Sequence, residues 1–119
     1  MGLAILPFPP TANNLFINRG KGRVKSPRYR HWQTIAGKAL MACRVPKVAG
    51  RYVMTLTAER PDRRGRDIAN LEKSVSDLLV MHGVVEDDKL AQKLVLQWSE
   101  LPPSKDAVVY VEIAPYAPA

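Results

Sequence analysis

The chain has 119 residues, enough for one small domain but too few for two independent hydrophobic cores. Hydrophobic residues make up 46 % and charged residues 24 % of it, which excludes a wholly disordered chain. No apolar run approaches the roughly 18 residues of a membrane span, and the first ten residues lack the basic start of a signal peptide. Cys43 is the single cysteine, which excludes an intrachain disulfide and a zinc finger. We therefore expect one cytoplasmic domain over residues 1–119, with no membrane partner.

Positive charge is concentrated in the first half of the chain. The net charge is +7, and residues 1–58 contain ten basic residues and no acidic ones. Residues 59–119 contain eight basic and eleven acidic residues, a net charge of −3. A strongly basic half indicates a polyanionic partner. We favour nucleic acid over a membrane surface and over charge that serves only solubility.

The predicted elements begin with a short strand, Leu3–Phe8, which two prolines end because proline cannot donate to a sheet ladder. Thr11–Lys25 is polar, basic and contains glycine, so we predict a loop there. A helix begins at Ser26, a capping residue, with Pro27 at the first helical position. Apolar side chains at three- and four-residue spacing predict its inner face: Tyr29, Trp32, Ala36, Leu40 and Cys43.

The rest of the chain is predicted to contain three strands and one helix. Alternation predicts a strand over Tyr52–Ala58. After an arginine-rich turn, apolar residues at helical spacing over Ile68–His82 predict a second helix, ended by Gly83. Two strands follow, Lys93–Ser99 and Ala107–Ala114, which we expect to pair as a hairpin with a long connection. The order β-α-β-α-β-β predicts a small α+β domain with a mixed or antiparallel sheet and two helices.

Acidic residues lie at both ends of this second helix. Asp67 opens it directly after an arginine run, and Asp87 and Asp88 follow its far end. Carboxylates that converge in a basic groove are a usual arrangement for holding Mg²⁺ against a phosphodiester. A fifteen-residue helix is about 22 Å long. The acids therefore meet only if the chain after the helix runs back along it, or if a second copy supplies one of them.

Each of these residues also has a purely structural interpretation. An aspartate that opens a helix, as Asp67 does, is a helix cap by default. Asp87 and Asp88 are typical of a solvated turn. Lys73 lies six residues after Asp67, near enough to stabilise a leaving oxygen, but it also forms an ordinary ion pair with Asp77 four residues on.

Aromatic and histidine side chains are mostly expected inside the protein. Trp98 and Tyr110 lie on predicted strands and are expected in the core. His31 could stack on a base, but we favour packing within the protein. His82, at the end of the second helix, is expected at the edge of the core.

Two segments of the chain resemble the RusA family of Holliday junction resolvases. PDRRGRDIANLEKSVSDLLVMHGVVEDDKL resembles the family's arginine–aspartate–helix block, and LPFPPTANNLFINRGKGR resembles its N-terminal strand, proline turn, asparagine pair and basic loop. The resemblance spans nearly the whole chain. It implies a small homodimeric endonuclease of bacterial or phage origin that depends on Mg²⁺, with Mn²⁺ as a substitute. Such an enzyme binds four-way DNA junctions and nicks two opposing strands symmetrically.

The resemblance also implies roles for individual residues. Asp67 matches the first catalytic aspartate, Lys73 the catalytic lysine and Asp88 a further essential aspartate. Metal binding is then expected from Asp67, Asp87 and Asp88. DNA contacts are expected from the helix asparagine and from basic side chains: Asn70, Arg19, Lys21, Arg23, Lys25, Arg63, Arg64 and Arg66.

Ala69 departs from the family pattern, which has a catalytic aspartate at this position. Alanine cannot bind a metal, so we expect this chain to bind junctions and to cleave them poorly or not at all. Two explanations are open: an Asp→Ala substitution made to trap an inactive enzyme, or a natural member that binds without cutting. Because the other acids of the pattern are all present, we favour the first.

Three other classes of function stay open. A non-catalytic nucleic-acid-binding protein would use the basic half and Trp32, and would keep its affinity in a chelator. A protein-interaction module would not prefer branched to linear DNA. Another kind of metal hydrolase would need the acidic residues but not the basic half.

Overall fold

The structure, a computed structural model, describes residues 2–118. These residues form six strands and two α-helices, together with three 3₁₀ turns over Ala12–Asn14, Ile68–Leu71 and Asp88–Leu90. In chain order the elements are β1 (Gly2–Pro7), β2 (Phe16–Arg19), β3 (Gly22–Lys25), α1 (Pro27–Ala42), β4 (Tyr52–Ala58), α2 (Glu72–Met81), β5 (Ala91–Trp98) and β6 (Val108–Pro115). The predicted α+β class with two helices is confirmed.

Four strands form the main sheet, in the order β1-β6-β4-β5. β6 pairs antiparallel with both β1 and β4, and β4 pairs parallel with β5. The predicted hairpin between the last two strands is therefore wrong, because β5 and β6 lie on opposite sides of β4. Two parallel neighbours cannot be joined by a tight turn. α2 makes the crossover that joins β4 to β5.

The segment predicted as a loop over Thr11–Lys25 contains a second, two-stranded sheet. β2 and β3 pair antiparallel around a turn in which Gly20 has a φ of +61°. The pattern conceals this hairpin because its strands have only four residues each and most of their side chains are exposed. Leu15 anchors the hairpin: it is fully buried, and its carbonyl accepts from the Ser26 amide at 2.8 Å.

α1 begins where the sequence predicts. The Ser26 Oγ accepts from the Tyr29 amide at 3.1 Å and donates to the Asn14 carbonyl at 2.6 Å, so one hydroxyl caps the helix and holds the preceding segment. Trp32 and Leu40 face the core as predicted. Cys43 does not: it ends the helix as an exposed capping residue, because the helical spacing no longer applies beyond the last turn.

The predicted second helix is divided in two. A 3₁₀ turn over Ile68–Leu71 comes first, and the α-helix begins only at Glu72. The Asp67 side chain accepts from the Ala69 amide and so caps the tight turn. Gly83 ends the element as predicted, with a φ of +69° that favours glycine.

The core lies between the helices and one face of the main sheet. Met54 and Leu56 of β4 are fully buried there. His31 is exposed, so the expectation that it packs inside is wrong, and Trp98 and Tyr110 are half-buried at the edge of the core. Neither helix among residues 2–118 combines the length and apolar character needed to cross a membrane.

We predict that Ser26→Ala lowers the free energy of unfolding by about 1–2 kcal/mol, because the helix loses its cap and the part-buried Asn14 carbonyl loses its donor. Urea denaturation of the two proteins measures the difference. Ser26→Thr, which keeps a hydroxyl, is the control and should lose less. Equal losses in the two variants would contradict this role of the hydroxyl.

Candidate active site

Asp62 holds the arginine-rich loop between β4 and α2. Arg66 donates to its two carboxylate oxygens at 3.2 and 2.6 Å, and Arg64 Nε donates to Oδ2 at 3.1 Å. These bonds, chiefly those of Arg66, hold the pKa of Asp62 well below its ordinary value. One carboxylate thus orients two guanidinium groups and leaves the loop with excess positive charge. Asp62 was not among the residues expected at the site, although its position within the arginine run indicated that it could pair with the arginines.

Aromatic rings fix the same loop to the sheet. The Arg60 guanidinium lies 4.5 Å from the centroid of the Trp98 ring, and Phe8 stacks on Trp98 with the centroids 6.4 Å apart. Arg66 lies 6.0 Å from the centroid of Phe8. Cations over aromatic faces are attracted by the ring quadrupole. These two arginines and two rings, here called the cation–aromatic cluster, limit the freedom of the loop.

Asp67 lies where this loop meets the start of α2. Its Oδ1 accepts from the Ala69 amide at 3.0 Å, so the predicted capping role is confirmed. The side chain is exposed and lines a cavity of about 230 Å³ together with Arg64, Arg66 and Asn70. Asn13, from the 3₁₀ turn after β1, lines the same cavity. Ala69 is exposed and does not line this cavity itself, although its amide bonds Asp67, and it contributes no carboxylate.

Asp87 and Asp88 line a different cavity, of about 340 Å³, with Lys25, Tyr29 and Asp77. They reach it because the chain turns back at Gly83 after α2. A hydrogen bond from the Lys89 amide, 2.9 Å from Asp87 Oδ1, is the main reason that the pKa of Asp87 is lowered.

Tyr52, on β4, has a buried hydroxyl, and the segment that follows α2 returns to its neighbourhood. The hydroxyl has no hydrogen-bond partner among the described residues. Burial first, and then the negative charges of Asp88, Glu72 and Asp87, raise the pKa of Tyr52. Asp88 lies three residues before Ala91, the β5 partner of Tyr52, so the return segment ends beside this end of β4. Glu72 was not among the candidate site residues, although it lies three residues after Ala69, on the same helix face.

The oxygen donors fit Mg²⁺ in their chemistry, because hard carboxylate and amide oxygens are its preferred protein ligands. Their arrangement within one chain does not complete such a site. No three His, Cys, Asp or Glu side chains among residues 2–118 are placed to hold a metal ion. Asp67 faces one cavity, and Asp87 and Asp88 face another.

The predicted basic residues lie in two places. Arg19, Lys21 and Arg23 are exposed on the β2–β3 hairpin, and Arg63 is exposed on the arginine-rich loop. Lys25 is placed differently from its neighbours. Its Nζ donates to Gln33 Oε1 at 3.1 Å, and it lines the cavity that contains Asp87 and Asp88.

Lys73 forms the predicted helical ion pair. Its Nζ lies 3.5 Å from Asp77 Oδ2, and its side chain is 55 % exposed. Asp77 also accepts from the Tyr29 hydroxyl at 3.2 Å. The structural interpretation of Lys73 is therefore confirmed, while its side chain stays accessible from solvent.

Comparison with known proteins adds one finding. A family model described as endodeoxyribonuclease RusA matches residues 7–114, nearly the whole chain. A search of curated proteins finds no match to it.

The Tyr29–Asp77 pair predicts a pH dependence of stability. Burial, followed by the charge of Asp77 and the hydrogen bond to it, raises the pKa of Tyr29 from 10.0 to about 12. A phenol whose pKa is raised by folding stabilises the fold fully below pH 10 and loses that contribution as the pH approaches 12. We expect the free energy of unfolding to fall over this interval, and Asp77→Asn to lower the pKa of Tyr29.

Urea unfolding at a series of pH values and ultraviolet titration of phenolate measure the two effects. Tyr29→Phe is the control, because it removes the titration assigned to this residue. An alkaline transition that is unchanged in Tyr29→Phe would contradict the assignment.

Proposed function

The chain belongs to the RusA family of endodeoxyribonucleases, which act on Holliday junctions, and from this we propose that it binds four-way DNA junctions and carries the remnant of a phosphodiesterase site at Asp67. One observation supports this proposal most strongly. Asp67 lines one cavity with Arg64, Arg66 and Asn70, so a carboxylate stands among groups that bind phosphate.

DNA binding rests on two basic surfaces. The arginine-rich loop is held by Asp62 and by the cation–aromatic cluster, so little side-chain entropy is lost when it contacts a phosphate. The β2–β3 hairpin presents Arg19, Lys21 and Arg23 on a two-stranded ribbon outside the main sheet. Such a ribbon has the dimensions to enter a DNA groove.

Cleavage, in a chain with an aspartate at position 69, would use carboxylates from both cavities. Asp67 and Asp88, with Asp87 beside Asp88, are the residues proposed to hold Mg²⁺ or Mn²⁺. A bound ion would lower the pKa of a coordinated water molecule and would neutralise charge on the phosphate. Lys73, exposed and one turn beyond Ala69, is proposed to stabilise the leaving oxygen.

Ala69 separates binding from cleavage in this proposal. Loss of one carboxylate weakens the metal site, while the arginine-rich loop and the hairpin are unaffected. We propose that this chain binds junctions without cutting them efficiently. The second candidate, a natural non-catalytic DNA-binding protein, is favoured by the same alanine and differs in what restoring the acid would do.

The substrate calls for a homodimer. A four-way junction has approximate two-fold symmetry, and symmetric nicks in opposing strands need two sites related in the same way. A single domain of 119 residues offers one such groove at Asp67. We therefore propose that the protein acts as a homodimer. Its proposed location is the cytoplasm of a bacterium or of a phage-infected cell.

We predict that Ala69→Asp raises symmetric cleavage of a labelled synthetic four-way junction in Mg²⁺ by about 10- to 100-fold over the original chain. Both proteins should bind the junction in preference to linear duplex, with Mg²⁺ or with a chelator. Gel electrophoresis of the labelled strands measures cleavage, and retardation on a native gel measures binding.

Ala42→Asp is the matched control, because it adds the same charge at an exposed position at the end of α1. It should restore no cleavage. Junction-selective binding without cleavage in Ala69→Asp would favour the non-catalytic protein. Absence of any preference for the junction would contradict the whole proposal.

A mixing experiment tests whether Asp67 and Asp88 act within one chain. We propose that the return segment of the same chain supplies Asp88, because the Asp88–Leu90 turn contacts α2 within one chain, although Asp67 and Asp88 line separate cavities. In the Ala69→Asp background, heterodimers of an Asp67→Asn chain and an Asp88→Asn chain should then stay inactive. If a second copy supplied Asp88, the same heterodimers would nick one strand.

The reciprocal mixture is the control. A chain that carries both Asp67→Asn and Asp88→Asn, paired with an Ala69→Asp chain, retains one complete site within a chain and should nick one strand. Sedimentation must first show dimers in both mixtures. A 13 kDa species alone at micromolar concentration would contradict the homodimer.

A further inference from the structure

A third cavity, of about 570 Å³, lies between the proline turn after β1, the first half of α1 and the arginine-rich loop. Its volume is within the range of about 300–1,000 Å³ that small-ligand sites occupy. It is separate from the cavity of Asp67, although Arg64 and Arg66 line both. Its helix side, which Arg28 and His31 form, has no role in the site proposed at Asp67.

The lining of this cavity is cationic. Arg28, Arg64 and Arg66 converge on it, and the residues that line it include no Asp or Glu. Arg64 and Arg66 are oriented from behind by Asp62. Within residues 2–118, Arg28 has no carboxylate at ion-pair distance, so its guanidinium is available to an anion from outside. Asp62 neutralises only part of the charge of these three arginines, and the remaining positive charge favours a ligand that carries a phosphate.

Flat and rigid walls accompany this charge. Phe8 lines the cavity together with the prolines of the turn, and Trp32, which is only 6 % exposed, supports its floor from the core. The Trp32 Nε1 donates to the Pro7 carbonyl at 3.0 Å, which fixes the indole, and Phe8 is held by its stack on Trp98. Rings that are already fixed lose little entropy when a planar ligand stacks on them. His31, exposed on the next turn of the helix from Arg28, adds a further ring at the mouth.

Phosphate-binding arginines beside fixed aromatic rings are the two components of a site for single-stranded nucleic acid. We infer that this cavity, here called the nucleotide pocket, holds one unpaired nucleotide of branched DNA, with its base against Phe8 and His31 and its phosphate on Arg28, Arg64 and Arg66. The inference rests on the proposed function, since the ligand is taken to be DNA. It adds a site that recognises an unpaired base.

The two tryptophans of the chain report on this pocket directly. Trp32 lines it, and Trp98 lies behind Phe8. We expect a thymidine trinucleotide to quench the tryptophan fluorescence of the full chain on titration. An abasic trinucleotide with the same phosphates should bind about tenfold more weakly, because base–aromatic stacking is lost.

Two arginines of α1 provide a matched pair of variants. Arg28→Gln removes a charge inside the nucleotide pocket, and Arg30→Gln removes the same charge on another face of the same helix. Both side chains are exposed, so neither change disturbs the core. Arg28→Gln should weaken trinucleotide binding about tenfold and Arg30→Gln by less than about twofold, because charge-assisted bonds are lost only in the first.

Equal weakening by the two variants, or equal affinity for the normal and abasic trinucleotides, would overturn the nucleotide pocket and leave only general electrostatic binding. The same proteins, titrated with four-way junction and linear duplex, separate this result from the proposed function. Junction preference without an Arg28-dependent trinucleotide site overturns the pocket alone. A trinucleotide site without junction preference supports the pocket and contradicts the proposed function.

Discussion

The parallel pairing of β4 with β5 is the constraint on which the rest of the structure depends. Parallel neighbours need a crossover, and α2 provides it on the face where the core forms. The connection before α2 must then leave from the carboxyl end of β4, where the arginine-rich loop projects. The connection after α2 must return to the start of β5, and this return carries Asp87 and Asp88 to the neighbourhood of Tyr52.

The arginines on this framework are held by Asp62 and by aromatic rings. Asp62 orients Arg64 and Arg66, and stacked rings restrain the loop from the other side. None of these contacts involves position 69. Alanine at position 69 therefore leaves the contacts that hold these cations unchanged.

Arg66 connects the two cavities on the arginine-rich side. It lines the groove of Asp67 and the nucleotide pocket, pairs with Asp62, and lies over the Phe8 ring. A strand that placed one nucleotide in the pocket would therefore have its backbone held close to the candidate site of cleavage. Recognition of an unpaired base and positioning of the neighbouring phosphate would then share one side chain.

The features that could be predicted without the structure are those set by residues close together in the sequence. Ser26 and Pro27 start α1, and Gly83 ends the element that Asp67 caps, because caps and positive-φ glycines act within a few residues. The arginine run directly before Asp67 likewise placed cations and a carboxylate together through chain connectivity alone.

Features that depend on residues far apart in the sequence are visible only in the folded structure. The position of β6 between β1 and β4, the pairing within Thr11–Lys25, and the separation of Asp67 from Asp88 into two cavities have no local signature. The nucleotide pocket is also of this kind, because Phe8, Arg28 and Arg66 come from three segments. Local pattern specifies how a segment folds, whereas packing of the whole core decides which segments meet.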